Sequence, residues 1–310
     1  MAESVLLLVF SITVLYFGAE LTLNASEKVG AKLGLSPLLI GMLLIGFGTS
    51  LPEFFVAHIA GSQNKMGIAI GSLVGSNIAN MFLILGVSGL IAKLSVFTKG
   101  VRKHLAVHLL LSAVLFFVLT RPTLNLISSL PLLFVIGVYL YIIKMDLGEE
   151  VEQEEAVEVP REKPAILFIK LIAGFGLLYV GGEYLVVSGT KLCLALGFSE
   201  YIVSAIFIAF GTSFPELVTA LLAAVKKKDT DLIVGNIVGS NIFNCGFILG
   251  TLGIYNFTLD VSFQLELISI LLGALVLFAY SYKEKFFYKK TSVFFLLCYG
   301  FVVFKWLENS

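Results

Sequence analysis

The amino-acid sequence predicts an all-α polytopic membrane protein with ten transmembrane helices arranged as two inverted five-helix repeats. Its composition, its recurring apolar runs and an internal repeat all lead to this fold class. Of the 310 residues, 58% are hydrophobic and only 14% are charged, with a mean hydropathy of +0.99, whereas soluble domains carry about 25% charged residues. The 21 basic and 21 acidic residues cancel. This composition excludes secreted disulfide scaffolds, nucleic-acid-binding modules and ordinary cytosolic enzymes.

Ten apolar runs recur along the chain, and each is long enough to cross a bilayer core about 30 Å thick. Their predicted bounds are residues 4–25, 36–62, 67–92, 103–120, 126–144, 165–190, 200–226, 232–254, 262–281 and 289–307. The first run lacks a basic leader and a small-residue cleavage site, so we interpret it as a retained helix. Five runs lie on each side of a polar segment, which predicts a first repeat at 1–145, a linker at 146–164 and a second repeat at 165–310.

The basic residues predict the orientation. With the N-terminus outside, 17 lysines and arginines fall on the cytoplasmic side of the ten spans and 4 fall on the other side, which strongly satisfies the positive-inside rule. We therefore predict a multi-pass membrane protein with both termini external. We also expect it to be a monomer in the plasma (cytoplasmic) membrane. The linker, with eight acidic residues between Asp146 and Lys163, is expected to be cytoplasmic. A solvated linker is favoured over a cation-sensing regulatory loop.

The two halves of the chain share motifs in one register. GTSLPE at 48–53 recurs as GTSFPE at 211–216, an offset of 163 positions. GSLVGSNIAN at 71–80 recurs as GNIVGSNIFN at 235–244, after a shift of one residue in a loop. Because five helices per repeat is an odd number, the second copy is expected to enter the membrane from the opposite face, as in many secondary transporters.

Glu53 and Glu216 lie deep within the second and seventh predicted spans. An ionised side chain there costs about 3 kcal/mol or more, so a compensating partner is expected. Pro52 and Pro215 immediately precede these glutamates. Since proline removes a backbone donor and crowds the carbonyl four positions back, the preceding turn should open and leave carbonyl oxygens bare. Backbone of this kind is tolerated in a membrane where it lines a cavity.

The following helix in each half adds hydroxyl and amide groups. Ser76 and Asn80 are four residues apart and share a helix face, as Ser240 and Asn244 do, and we expect this face to meet the glutamates. Thr49, Ser50, Thr212 and Ser213 add further hydroxyls. Hard oxygen ligands suit Ca²⁺ and Na⁺ and disfavour zinc or copper, while Mg²⁺ demands a tighter octahedral shell. The alternative, that the small residues serve close helix packing alone, does not account for two symmetric midplane carboxylates.

GTSLPE and GTSFPE, each followed by G-x-x-V-G-S-N-I-x-N, resemble the α-repeats of the sodium/calcium exchangers in the cation/Ca²⁺ exchanger superfamily. The resemblance covers nearly the whole chain. Because the large regulatory loop of animal exchangers is missing, the chain resembles a prokaryotic member. This resemblance implies an antiporter that exchanges three Na⁺ for one Ca²⁺ by alternating access and extrudes Ca²⁺ from the cytoplasm. Its partners would be the two ions and the lipid bilayer, with no cofactor, no nucleic acid and no enzymatic activity.

The resemblance also implies roles for individual residues. Glu53 and Glu216 would bind both ions, and the backbone carbonyls of Thr49 and Thr212 would complete the Ca²⁺ site. The implied Na⁺ sites use Ser50, Ser240 and the Gly46 carbonyl on one side, Ser213, Ser76 and the Ala209 carbonyl on the other, and Asn80 and Asn244 flanking the centre.

Several alternatives remain open at this point. Some family members, including the K⁺-dependent branch, carry aspartate where this chain has Asn244, which makes K⁺ co-transport less favoured. The Gly-Asn-Ala-x-Glu pattern of Ca²⁺/H⁺ exchangers is matched poorly, although a buried glutamate can carry a proton. A cation channel with the glutamates as a selectivity ring is a further alternative. An intramembrane enzyme is the weakest, because no nucleophile–base pair or metal triad appears in the repeats.

Overall fold

Helices make up the architecture, as the sequence predicts. The computed structural model describes residues 2–94, 99–151, 162–197, 211–259, 262–283 and 286–309. The helices are α1 (Ala2–Leu33), α2 (Pro37–Ser62), α3 (Met66–Ile91), α4 (Lys99–Leu119), α5 (Leu126–Val151), α6 (Pro164–Ala195), α7 (Gly211–Val225), α8 (Thr230–Tyr255), α9 (Gln264–Lys283) and α10 (Lys289–Asn309). Two short strands lie in the loops: β1 (Thr123–Leu124) between α4 and α5, and β2 (Phe257–Thr258) between α8 and α9.

Nine helices within the described ranges are long and apolar enough to cross a membrane. The exception, α7, corresponds to the predicted span 200–226, of which residues 200–210 lie outside the described part. Residues 152–161 of the predicted acidic linker also lie outside it. The long apolar helices make the chain an integral multi-pass membrane protein.

Three helices are at least six residues longer than the sequence predicts. The first and sixth each contain 32 residues, or about 48 Å of helix, and α5 continues beyond the predicted end at residue 144 to Val151. The predicted bounds were wrong because they followed the apolar runs and stopped near the first charges, such as Glu27 and Lys28. Charged side chains with long stems are good helix formers, so a helix continues past the membrane boundary when they follow its apolar part.

α3 and α8 form the centre of the bundle. Along an apolar stretch of 18 residues in each helix, 78% of α3 and 89% of α8 is buried, against 28% of α1 and 33% of α6. The two outer helices pack along each other. Their close approach requires glycine, because a Cβ atom on Gly174 would lie 2.5 Å from the Thr22 hydroxyl oxygen. The outer pair therefore forms one unit beside a central core.

Backbone conformation repeats between the two halves. Gly34 and Gly197 have positive φ angles of 65° and 89°, and Asn64 and Lys227 have φ angles of 57° and 53°. Each pair is 163 positions apart, since 197 − 34 and 227 − 64 both equal 163. These pairs support the internal repeat, while the inverted orientation of its two copies stays a prediction.

Two backbone bridges join the halves to each other. Leu94, after α3, pairs with Phe287, between α9 and α10. Thr123 of β1 pairs with Thr258 of β2. The bridges correspond at an offset of 164 positions, since 258 − 94 and 287 − 123 are both 164. Each half is therefore tied to the other by equivalent loops.

Ion pairs connect α1, α6 and the turn between α7 and α8. Glu162 contacts both Lys170 and Lys28, and these lysines hold the pKa of Glu162 far below its ordinary value, at about 2. Two further pairs tie α1 to the turn after α7: Glu20–Lys226 at 2.5 Å and Glu27–Lys228 at 2.6 Å. All three connections gather at the end of the bundle that the basic residues predict to be cytoplasmic.

Candidate functional site

The helices α2 and α7 are interrupted where proline predicts it. Ser50 has φ −84° and ψ 1°, and Ser213 has φ −89° and ψ 3°, so neither residue is α-helical. A new helical segment starts at the next residue in both helices, with Pro52 and Pro215 in its first turn. Proline is favoured in that position because the first-turn N–H groups have no helical partner. Each interruption thus creates a helix N-terminus within the bundle.

Glu53 and Glu216 lie in the first turns of these new segments, and both are fully buried, with 0% exposure. The partial positive charge of a helix N-terminus favours a carboxylate there. No lysine, arginine or histidine of the described residues forms an ion pair with either glutamate. Within the described residues, one oxygen of each carboxylate, Oε2, has no hydrogen-bond partner. In the part of the chain that the structure describes, the site therefore holds two buried acids without a protein cation.

The remaining carboxylate oxygens meet serine hydroxyls. Ser50 donates to Oε1 of Glu216 at 3.4 Å, and Oγ of Ser240 lies 3.5 Å from the same oxygen. Ser76 donates to Oε1 of Glu53 at 3.3 Å. The predicted meeting of the Ser76 and Ser240 positions with the two glutamates is therefore present. Since Ser50 and Glu216 come from different halves, the halves share one site.

Thr212 joins the same site through its hydroxyl. Its Oγ1 lies 2.9 Å from Oγ of Ser76. The neighbouring Ser213 is buried and its hydroxyl has no hydrogen-bond partner. Ala209, whose carbonyl the family resemblance implicates, lies outside the described residues.

The Gly46 carbonyl, which the family resemblance implicates in Na⁺ binding, faces the site and is already hydrogen-bonded. It accepts hydrogen bonds from Ser240 Oγ at 3.0 Å, from the Ser50 amide at 3.2 Å and from Thr49 Oγ1 at 3.4 Å. The glycine is required for close contact, since a Cβ atom would lie 2.8 Å from the Asn236 carbonyl oxygen. Because α8 approaches so closely, its serine reaches the carbonyl.

Asn80 and Asn244 occupy π-helical segments, Ala79–Ile84 and Phe243–Ile248. Both asparagines are fully buried, and among the described residues neither the amide oxygen nor the amide nitrogen of either has a hydrogen-bond partner. π-Helical insertions of this kind frequently occur at functional sites. Four unsatisfied polar atoms in the centre of the core indicate a place for water or an ion.

Asn77 and Asn241, the residues directly after Ser76 and Ser240, hydrogen-bond to backbone carbonyls. Asn77 donates to the Leu73 carbonyl at 2.7 Å. Asn241 donates to the Asn77 carbonyl at 3.3 Å and so links α8 to α3. This agrees with their predicted place away from the face that carries Ser76 and Asn80.

Asn236 lies at the site, although the repeated motifs do not identify it. Its buried side chain accepts a hydrogen bond from Thr49 at 3.4 Å, and its amide nitrogen has no partner. The aligned residue of the other half is Ser72, so the repeat gave no signal. The usable signal was helical spacing, because Asn236 precedes Ser240 by four residues and shares its face.

The chain is similar to proteins of one family. The family model described as sodium/calcium exchanger protein matches residues 3–145 and 166–307. The inner membrane protein YrbG of Escherichia coli K12 is 33% identical over 252 residues, which cover 79% of this chain and 77% of that protein. The sodium/calcium exchanger MaX1 of Methanosarcina acetivorans is 27% identical over 293 residues, covering 81% and 82% of the two chains.

Solved structures show the same similarity. The sodium-calcium exchanger NCX_Mj, soaked with 2.5 mM Na⁺ and 0.1 mM Ca²⁺, superimposes with a TM-score of 0.81 at 27% sequence identity. The match covers 97% of this chain and 97% of that chain. The fold is therefore that of a helical membrane exchanger.

Proposed function

Because the chain belongs to the sodium/calcium exchanger family, we propose that it exchanges Na⁺ for Ca²⁺ across its membrane by alternating access. Both ions would bind between Glu53 and Glu216. The observation that carries this proposal is the pair of fully buried carboxylates, each with one oxygen that has no hydrogen-bond partner. Leaving such groups unpaired in a low-dielectric core is costly. A bound cation would remove that cost.

The spacing of the oxygens supports cation binding. In a calcium shell with ligand distances of 2.3–2.6 Å, oxygens at right angles are roughly 3.3–3.7 Å apart. The contacts of Glu53 with Ser76 and of Glu216 with Ser50 and Ser240 measure 3.3, 3.4 and 3.5 Å. A cation can therefore replace these weak hydrogen bonds with little movement of the oxygens.

The two glutamates would serve both ions in turn. We assign Ca²⁺ to Glu53 and Glu216 with the Thr49 and Thr212 carbonyls, and Na⁺ to the same carboxylates with surrounding neutral oxygens. The proposed Na⁺ ligands are Ser50, Ser240 and Gly46 on one side, Ser213, Ser76 and Ala209 on the other, and Asn80 and Asn244 at the centre. Ca²⁺ and Na⁺ would therefore bind alternately, since one pair of carboxylates cannot hold Ca²⁺ and the Na⁺ ions at the same time.

The family resemblance implies a stoichiometry of three Na⁺ for one Ca²⁺, which we adopt in this proposal. Such an exchange moves one net charge, which couples transport to the membrane potential by about 2.3 kcal/mol per 100 mV. With Na⁺ higher outside and a negative interior, Ca²⁺ leaves the cell. We place both termini outside and the acidic linker in the cytoplasm, because the distribution of basic residues favours that orientation.

Flux measurements test this function. Proteoliposomes loaded with ⁴⁵Ca²⁺ are exposed to Na⁺, K⁺ and pH gradients, each varied separately. We expect Na⁺ alone to drive Ca²⁺ release. The release rate should rise as the vesicle interior, which Na⁺ enters, becomes more negative. Release driven by a pH gradient in Na⁺-free buffer would instead show H⁺/Ca²⁺ exchange, a K⁺ requirement would show the K⁺-dependent reaction, and flux without any counter-ion would show a channel.

Asn236 offers a test of how the site is positioned. In Asn236→Ser, which installs the residue of the other half, Thr49 loses its partner on α8. A hydrogen bond of this kind contributes about 0.5–1.5 kcal/mol, so KM for Ca²⁺ should rise roughly 2- to 12-fold. Ser72→Ala in the other half is the matched control and should leave KM unchanged. An unaltered KM in Asn236→Ser would remove this residue from the site.

A further inference from the structure

A group of basic and aromatic residues lies where the loop after α3 meets the loop between α9 and α10. The Leu94–Phe287 bridge holds the two loops together through hydrogen bonds of 3.0 and 2.9 Å between backbone atoms. Leu94 and Phe287 are both fully buried. Because side chains alternate along an extended segment, their neighbours Lys93, Phe286 and Tyr288 are directed to the opposite, outer face. We call this surface the basic–aromatic patch.

Two lysines of the patch share one ring. The ammonium groups of Lys93 and Lys289 each lie 5.5 Å from the centre of the Tyr288 ring. Lys93 is also 5.9 Å from the Phe286 ring. Among the described residues, neither lysine forms an ion pair with an acidic side chain. Two cations beside one ring, neither of them paired with an acidic side chain of the described residues, favour binding of an anion.

Arg102, near the start of α4, lies beside the end of α9, which leads into the loop that carries Phe286 and Tyr288. Its guanidinium lies 4.8 Å from the centre of the Tyr282 ring, and its Nε donates to the Ser281 carbonyl at 3.1 Å. A guanidinium has five N–H donors, so most remain for another acceptor. A planar donor of this type binds phosphate well.

The pseudo-symmetric position lacks these cations. Applying the offset of 164 positions to Lys93, Arg102 and Lys289 leads to Phe257, Glu266 and Asn125. The same loop pairing therefore forms at Thr123 and Thr258 with no cation at any of the three positions. The loop pairing does not require the basic residues. The positive-inside rule accounts for their side of the membrane, but not for their positions against the aromatic rings.

We propose that the basic–aromatic patch binds the phosphate headgroup of an anionic phospholipid. Lys93, Arg102 and Lys289 contact the phosphate, while Tyr282 and Phe286, 63% and 48% exposed, lie at the level of the headgroups. Lysine and arginine near a membrane surface attract anionic lipids, and aromatic side chains favour the interface. The site is separate from Glu53 and Glu216 and does not depend on which ions are exchanged.

Lipid counting by native mass spectrometry tests the proposal. Detergent-solubilised protein is titrated with phosphatidylglycerol or with zwitterionic phosphatidylcholine, and we expect retention of phosphatidylglycerol alone. Since each cation strengthens binding about five-fold, the triple variant Lys93→Gln, Arg102→Gln, Lys289→Gln should bind on the order of 100-fold more weakly. The matched control replaces Lys32, Lys144 and Lys163 by glutamine, which removes equal charge from the same predicted side.

Three outcomes would overturn the assignment: equal loss of lipid in both triple variants, equal retention of the two lipids by the unaltered protein, or complete competition by millimolar inorganic phosphate. Thermal midpoints in phosphatidylcholine nanodiscs verify that each variant is folded. If the patch variant fails to fold, Lys289→Gln alone, at an exposed position, should still weaken retention about five-fold.

Discussion

Replacing either buried glutamate, in Glu53→Gln or Glu216→Gln, is expected to reduce Na⁺-driven Ca²⁺ flux on the order of 1000-fold. The change keeps the shape of the side chain and removes one charge next to the proposed cation. Two unit charges about 4 Å apart at an effective dielectric constant of 20 interact by about 4 kcal/mol, which corresponds to that factor. Flux of ⁴⁵Ca²⁺ in proteoliposomes measures the loss.

Glu183→Gln is the matched control, because Glu183 is an exposed carboxylate on α6. Its flux should stay within about two-fold of the unaltered protein, as expected for a surface charge. Glu53→Asp keeps the charge on a shorter side chain and should give an intermediate loss. Full activity in Glu53→Gln would show that the proposed site is wrong, even if Na⁺/Ca²⁺ exchange itself were measured.

Gly239→Ala is expected to destabilise the protein by about 1–3 kcal/mol, as overpacking does. An added Cβ atom would lie 2.7 Å from both the Cα and the carbonyl oxygen of Met42, so α8 and α2 must separate. Separation would move Ser240 away from the Gly46 carbonyl, now 3.0 Å from its Oγ. We therefore expect a lower thermal midpoint together with a higher KM for Ca²⁺.

Gly137→Ala provides the opposite case. This glycine lies inside α5 and a Cβ atom would meet nothing within 4 Å. Alanine is favoured over glycine in a helix by up to about 1 kcal/mol, so the thermal midpoint should rise or stay constant. Equal shifts in the two variants would mean that the close crossing at Gly239 does not determine stability.

Apolar runs were sufficient to predict the helices, because a bilayer rewards about 20 apolar residues regardless of their neighbours. They could not give the ends of α1 and α6, since charged helix formers such as Glu27 and Lys28 continue a helix beyond its apolar part. Proline chemistry predicted the interruptions next to Glu53 and Glu216. The same local argument could not show that Ser240, from the other half, hydrogen-bonds to the Gly46 carbonyl.

Residues that differ between the two halves cannot be predicted from the repeated motifs. A repeated motif identifies what both copies need, such as Ser76 and Ser240. It gives no information on Asn236, whose counterpart is serine, or on Lys93, whose counterpart is Phe257. Features found in only one copy require knowledge of which side chains meet in space. The Tyr288 ring beside two lysines is a feature of that type.

The two loop bridges can form only late in the synthesis of the chain. Leu94 and Thr123 are synthesised long before their partners Phe287 and Thr258, and contacts so distant in sequence form slowly. Until α8 and α9 have entered the bilayer, the first five helices have exposed backbone at both loop ends and a glutamate without its final neighbours. A half-length chain would therefore be an incomplete product, open to removal by membrane quality control. A working transporter forms only when translation is nearly finished.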